Sequence, residues 1–531
     1  MNKRIIVLLV MIVGVIQLHG QRKPPAEKPM SKEEIADKKR EATDLFKVKR
    51  YAEARDILLR LVKYESQNAD LNYKLGLCIL NSNYDKSKAI EYLEFTAQQK
   101  DAPKDTRYYL GLANLHAGAY DAAIEAFDKY KADMKGKPDP KLAVDVKAEW
   151  VYNAKKRTQS PVEVTFQNLG KLVNSPGNDY RPVPSLDDSV IFFASNRKGN
   201  TGNIPDDFGE GGFTSDVYFF TQNDSGRTKA KNPGMNINSA GYEEPVALSA
   251  DGSDLFLYVE TPEINGDIMR SEQKGKSWQK SVSLGETFVT RDPEYGAAIS
   301  PDGKILVFSS DKKDKTALGG RDLYICKHNE NGSWSTPVNM GSSINTANDE
   351  DFPVFFADGK TLFFASNGKE SMGGFDIMKT MRADENAAWD MPINIGYPLN
   401  TTDDDKYFSL LPDGKTGYIS CVKDSSLGGT DLYKYKLAVP LVATDLVVVK
   451  ATAVVGATGA PTKNARVTIL KKSTGATVGE YFTNASTGAF VAVLAPGEYD
   501  VAIRTEKLGK FDATLEVPAG EAKIYKIFTL Q

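Results

Sequence analysis

The apolar positions of this chain follow three successive rhythms. The first covers residues 35–157, where small and large apolar residues return with a period near 34. Ala42, Leu45, Tyr51, Ala54 and Leu58 mark one unit; Gly76, Tyr84, Ala89 and Leu93 mark a second; Leu110, Gly111, Gly118, Tyr120, Ala123 and Phe127 mark a third. Such a period predicts stacked pairs of helices, in which small residues let two helices approach and large ones fill the groove between pairs. Residues 139–157 carry Leu142, Val146, Trp150 and Val151 on one helical face and are expected to cap the stack.

The second rhythm runs over residues 160–437. A turn recurs five times, as Asp187-Asp188, Asp251-Gly252, Asp302-Gly303, Asp358-Gly359 and Asp413-Gly414. Apolar runs such as Ile305-Leu306-Val307-Phe308 follow it, which is a strong hairpin signal. Each hairpin leads to an Asp followed by two apolar residues, at Asp216, Asp267, Asp322, Asp376 and Asp431, and these lie 51, 55, 54 and 55 residues apart. Trp278, Trp334 and Trp389 come next, then runs such as Pro337-Val338-Asn339-Met340-Gly341. A repeat of about 50 residues with four short strands is a propeller blade, so five units predict five blades. The fifth unit stops near Lys436 without its fourth strand, and an unassigned strand, Val162-Glu163-Val164-Thr165-Phe166, precedes the first. That leading strand is expected to complete the last blade and so remove the free sheet edges.

The third rhythm, over residues 441–531, is period-two alternation at 446–450, 465–470, 489–494, 499–504 and 523–530, separated by turn residues. It predicts a small β-sandwich. The expected fold class is thus multidomain α plus all-β: a helical repeat domain, a five-bladed β-propeller and a C-terminal β-sandwich. A chain of 531 residues is too long for one core.

The N-terminus stands outside these rhythms. Met1-Asn2-Lys3-Arg4, an apolar run over 5–16 and a small residue before Gln21 read as a signal peptide over 1–20, cleaved near Gly20-Gln21. Residues 21–34, rich in Pro, Lys and Glu, read as a flexible leader. The run is too short to span a bilayer, which needs about 20 apolar residues. A periplasmic protein, associated with a membrane only through partners, is therefore expected. Lys and Arg number 67 against 70 Asp and Glu, so no basic excess favours nucleic acid. Cys78, Cys326 and Cys421 suggest no disulfide framework and read as small buried apolar residues.

The candidate chemistry is sparse. Only His116 and His328 follow the signal peptide, and there is no Gly-x-Ser-x-Gly elbow and no metal-ligand spacing. No catalytic residue, cofactor or resident metal is expected. Five acids, Asp179, Glu243, Glu294, Glu350 and Asp405, stand eight positions before each turn Asp, at the start of the innermost strand. They could ring a channel mouth and hold a cation through oxygen ligands. Alternatively they bond backbone N–H groups of the neighbouring blade, and their regularity favours this architectural role. The first blade carries an insertion over 198–215 with Asp206, Asp207 and Glu210, the expected partner-contact loop.

These patterns carry resemblances. The helical units resemble tetratricopeptide repeats, though the second has one extra residue and none has the usual tryptophan. Ser300-Pro301-Asp302-Gly303-Lys304 resembles the WD-like repeat of the TolB family. Ala465-Arg466-Val467-Thr468-Ile469 and Leu494-Ala495-Pro496-Gly497-Glu498-Tyr499 resemble carboxypeptidase-regulatory-like domains. In this order the three modules resemble PorE-like periplasmic proteins of the type IX secretion system in Bacteroidota. The resemblance implies a non-enzymatic scaffold or adaptor for envelope or secretion-system proteins, associated with the outer membrane. PorE-like proteins continue into an OmpA-like, peptidoglycan-binding domain and carry a lipobox cysteine. Neither is present in this sequence, so direct peptidoglycan binding is not expected. The alternatives are a glycan- or peptide-binding propeller and, because two carboxylates suffice for a glycosidase, a propeller hydrolase.

Overall fold

The computed structural model describes residues 29–206, 212–223, 225–285, 288, 292–329, 332–505 and 509–530. The expected signal peptide and most of the leader lie outside the described residues. Among the described residues seven α-helices open the fold: α1 (Lys32–Lys47), α2 (Tyr51–Leu61), α3 (Ala69–Leu80), α4 (Ala89–Ala97), α5 (Thr106–His116), α6 (Tyr120–Asp133) and α7 (Val144–Thr158). Helix α1 begins within the stretch expected to be leader. A capping box sets that start: Ser31 Oγ accepts from the Glu34 N–H, and Glu34 accepts from the Ser31 N–H at 2.6 Å.

The small residues of the repeat act as their spacing implies. A Cβ on Gly76 would fall 2.6 Å from Leu93 Cγ, and one on Gly111 would fall 2.4 Å from Phe127 Cε1. Each glycine therefore seats the large side chain of the helix that pairs with it. Ala42, Ala54, Ala89, Ala123 and Phe127 are fully buried.

Five sheets follow. The first contains Asp179–Pro184, Val190–Ser195, Asp216–Asn223 and Gly226–Arg227 in chain order. The second contains Tyr242–Leu248, Asp254–Glu260, Asn265–Lys274 and Val282–Ser283, with Ser277–Trp278 paired beside them. The third contains Glu294–Ile299, Ile305–Ser310, Asp322–Lys327 and Val338–Asn339. The fourth contains Glu350–Phe355, Thr361–Ser366, Asp376–Met381 and Ile393–Asn394. The fifth contains Phe408–Leu410, Thr416–Cys421 and Asp431–Leu437, and takes its outermost strand from the front of the region. There Val164–Asn168 pairs antiparallel with Asp431–Leu437, from Val164↔Leu437 to Asn168↔Tyr433.

The C-terminal strands form a sheet ordered Ala489–Leu494, Val447–Val455, Lys523–Leu530 and a second ordered Thr477–Phe482, Arg466–Lys471, Gly497–Thr505, Gly509–Val517. Val449, Ile469, Phe490, Val501 and Phe528 from both sheets share one buried core. Two of these strands, Thr477–Phe482 and Gly509–Val517, have largely exposed or half-exposed side chains. That leaves the apolar alternation by which the others are legible too weak to register.

Candidate functional site

The repeated acids come first because every sheet has one. Asp179 accepts from the Ser175 N–H at 2.5 Å and its hydroxyl at 2.8 Å. Glu243 accepts from the Ser239 N–H at 2.9 Å and the Ser239 hydroxyl. Glu350 takes both donors of Thr346, at 2.7 and 2.8 Å, and Asp405 both donors of Thr401, at 2.5 and 2.9 Å. In these four the Ser or Thr four residues earlier, in the connector that leads into the same strand, donates; Arg197 adds a bond to Asp179 and Ser366 one to Glu350, both from the same sheet and not the neighbouring one. The corresponding Thr290 before Glu294 lies outside the described residues. This Ser/Thr-x-x-x-acid spacing is a signal that sequence reasoning passed over.

All five acids are at most 9% exposed, and none lines the two small cavities on the axis of the sheets. Burial pushes Glu243 and Glu350 up to about 7 and Asp405 up to about 8, against the opposing pull of these hydrogen bonds. Among the described residues no group of three or more His, Cys, Asp or Glu is placed to hold a metal ion.

The aspartates of the second motif belong to another repeated network. Asp431 Oδ2 accepts from Asn168 Nδ2 at 2.8 Å, Asp322 Oδ2 from Asn339 at 2.7 Å and Asp376 Oδ2 from Asn394 at 2.5 Å. In the first sheet Asn232 serves Asp216 at 2.8 Å. Each of these asparagines is in turn bonded by a buried second one, Asn174, Asn345, Asn400 or Asn238. The second asparagine clasps the backbone of the third strand, as Asn345 does at Leu323 with 2.8 and 2.9 Å bonds. The second sheet departs from the pattern, with Ser283 where the others carry asparagine.

The axis itself is where the repeats differ. The innermost strands of the first four sheets each carry a register shift: between Tyr180 and Val183, Pro245 and Ala247, Glu294 and Ala297, and Asp351 and Val354. Such bulges re-aim side chains. Arg181 (φ 58°) and Phe352 (φ 51°) adopt left-handed backbone beside them. Arg181 donates through Nη1 to Glu244 Oε2 at 2.5 Å and through Nη2 to the Tyr295 carbonyl at 2.5 Å. Its guanidinium lies 5.1 Å from the Phe352 ring and 5.9 Å from the Tyr407 ring. One side chain of the first sheet thus meets the inner edges of all four others, and the five sheets surround a common axis.

Tyr180 donates to the other Glu244 oxygen at 2.7 Å, and the Tyr407 ring packs against Tyr180 and Phe352. Beside this lock, Arg321 donates to buried Asp351 at 2.6 Å and stacks 3.6 Å over Tyr295. The cavities that follow the lock along the inner strands are small, about 30 and 100 Å³, and the larger is mostly apolar. The arrangement obstructs the axis and binds the sheets to one another.

Two further places complete the picture. The insertion expected to meet a partner is anchored at Asp206, whose carboxylate accepts from Tyr242 at 2.7 Å, while Asp207 and Glu210 lie outside the described residues. Helix α7, expected to cap the helical stack, also joins it to the sheets. Trp150 Nε1 donates to the Gly368 carbonyl at 2.8 Å, and Asn153 donates to the Lys369 and Ser371 carbonyls at 2.8 and 2.9 Å. Met372 is fully buried among Tyr108, Trp150 and their neighbours. Lys86 pairs with Asp403, which lies 3.5 Å from His116 Nδ1. Burial pushes His116 down to about 4 and Lys147, stacked on Trp150, down to about 8. The three cysteines are unpaired, and burial pushes each thiol up to about 12.

Comparison with known proteins fits this geometry at its N-terminal end. Residues 39–94 and 83–137 match the tetratricopeptide repeat family. No curated protein matches the chain. Among solved structures, TolB from Acinetobacter baumannii aligns at 14% identity and a TM-score of 0.31, over 56% of this chain and 70% of that one. A periplasmic gluconolactonase of Pseudomonas aeruginosa aligns at 12% and 0.28, over 64% and 86%. An α-L-arabinofuranosidase of Lactobacillus brevis aligns at 11% and 0.32, over 52% and 94%. These superpositions are loose and assign no activity. The chain joins a tetratricopeptide helical region to a large multi-sheet β region. Among the described residues no helix is long and apolar enough to cross a membrane.

Proposed function

We propose that this protein is a non-enzymatic periplasmic scaffold or adaptor in an outer-membrane-associated assembly, with type IX secretion as its setting. In this reading the five sheets are the blades of a five-bladed propeller, and residues 441–531 are a carboxypeptidase-regulatory-like sandwich. The observation that carries the reading is the tetratricopeptide match over a stack whose last helix is hydrogen-bonded to the β region. Repeats of this kind present extended concave surfaces to partners, and a stack fixed at Gly368 and Ser371 would hold its partner at a defined place. The axial lock supports the non-enzymatic part, because Glu244 is engaged by Arg181, and Asp351 by Arg321 and Ser309.

In-cell crosslinking of the full chain tests the proposal. Discrete envelope proteins should be captured, and a panel of glycans, lactones and peptides should show no turnover by the purified protein. Turnover that a single carboxylate-to-amide substitution abolishes would replace the scaffold with an enzyme.

A further inference from the structure

A cleft of about 840 Å³ lies between the second and third sheets and the C-terminal strands. It runs on into a second cleft of about 670 Å³, since Ala250, Asp251 and Val491 line both. Together they form a long groove beneath the sheets, away from the obstructed axis and from the helical stack.

Three features define what would fit there. The first is backbone. Thr477–Phe482 and Ala489–Leu494 each stand at the end of their sheet, and both contribute to the cleft wall. Thr477–Phe482 is hydrogen-bonded along one side to Arg466–Lys471, and among the described residues no strand covers its other side. Proteins ordinarily blunt such an edge with lysine, proline or a covering element, and the run Thr477-Val478-Gly479-Glu480-Tyr481-Phe482 has neither residue.

The second feature is apolar surface. Phe482, on the cleft wall, is 67% exposed, a large value for such a side chain on a strand. Trp334 stands on the wall formed by the third sheet, with His328 packed edge-on against it at 4.9 Å. The third is charge. Arg270 pairs with Asp254 at 2.7 Å, and Lys304 and Arg466 both pair with Glu480, at 3.2 and 2.9 Å. Asp251, Glu272 and Asp302 line the same cleft without a lining cation to pair with, so its wall carries an acidic surplus and holds no spare cation for a polyanion such as nucleic acid or an acidic glycan.

An uncovered strand edge beside exposed apolar side chains is what adding a strand requires, and the acidic surplus of the wall turns polyanions away. We infer that this groove binds an extended polypeptide segment, which pairs with Thr477–Phe482 and sets apolar side chains against Phe482 and Trp334. Six paired residues would extend about 20 Å. A neutral glycan could stack on the aromatic rings but would have no use for the strand edge, and the edge decides for peptide. This site goes beyond the scaffold reading and does not depend on the helical repeats.

The test uses the full mature chain and a phage-displayed library of random decapeptides. Enriched peptides should carry apolar residues at alternate positions. Synthetic copies should bind F482E and W334A at least tenfold more weakly than the parent, and T165A equally well. Amide exchange at residues 477–482 should slow when peptide is added. Because Phe482 is mostly exposed, F482E should melt within about 2 °C of the parent, so that lost binding is not lost folding. The inference is overturned if no peptide is enriched, if F482E binds as the parent does, or if exchange at 477–482 is unchanged. Binding of a neutral oligosaccharide panel that F482E abolishes would reassign the groove to glycans and equally overturn it.

Discussion

Asn168→Ala should cost more than any other single-residue change on the strand that joins the two ends of the β region. Its amide donates to Asp431 Oδ2 at 2.8 Å and the Ser425 carbonyl at 3.2 Å. Its oxygen accepts from the Gly170 N–H at 2.7 Å and Asn174 Nδ2 at 2.9 Å. Asp431 is fully buried, and its Oδ2 would keep only the Leu427 N–H, at 2.9 Å. A hydrogen bond to a buried charge contributes about 1.5–3 kcal/mol, and stranding a buried polar partner adds about 1–3 kcal/mol. Asn174 retains its bonds to Leu432 at 3.0 and 3.1 Å, which lowers the second figure. The expected loss is about 3 kcal/mol in urea unfolding followed by tryptophan fluorescence. Asn339→Ala, which strips Asp322 in the third sheet, should cost about the same. Only Asn168→Ala should also speed amide exchange across Val164–Asn168, because its bond ties segments 263 residues apart. Exposed Thr165→Ala on the same strand should stay within about 0.5 kcal/mol of the parent. If Asn168→Ala does too, the asparagine–aspartate network is not what holds that strand.

Three other outcomes follow from the geometry. Gly111→Ala should destabilise the helical stack by about 1–3 kcal/mol through overpacking, because its Cβ would meet fully buried Phe127 at 2.4 Å; Phe127→Leu should recover part of that in the double variant, read by thermal melting. Arg181→Ala should cost about 3–5 kcal/mol by leaving Glu244 without its ion pair, and adding Glu244→Gln should recover some of it, so strictly additive effects in the double-mutant cycle would refute the lock. His116, held down to about 4 by burial, stays neutral in the folded chain between pH 4 and about 6.5, where the unfolded chain takes up its proton, so it costs stability as pH falls through that window. Glu243, Glu350 and Asp405, pushed up, act in the opposite sense, so the measurement is the difference between parent and His116→Leu. That difference should change by about 2 kcal/mol between pH 7 and pH 5, and a pH-independent difference would show that His116 titrates normally.

How far the sequence could be read depended on repetition. The turn aspartates, the second-motif aspartates and the asparagines after the tryptophans recur, and, Asp267 and Ser283 of the second sheet apart, the structure uses each recurrence alike, as a side chain tying a loop or strand. The five acids recur too, and their Ser or Thr donors at a fixed distance upstream were equally visible. What could not be seen is what occurs once. Arg181 reaches the axis through a bulge and a left-handed residue found together in only some of the innermost strands. Trp150 has the spacing of a core residue, and only the fold brings it to Gly368, 218 positions away. The peptide groove joins the third sheet to a strand whose polar face hides it.

The same distinction separates framework from specificity. The column of buried acids is Asp or Glu in every sheet. The positions one and two residues later read Tyr180-Arg181, Glu244-Pro245, Tyr295-Gly296, Asp351-Phe352 and Lys406-Tyr407, with no two pairs alike. Interchangeable neighbours would leave five equivalent side chains around the axis, and like charges meeting there would repel. Divergence lets one cation from the first sheet find an acid, a carbonyl and two rings on the other four. The repeats had to agree for the sheets to fold alike, and to disagree here for them to hold one another in a single order.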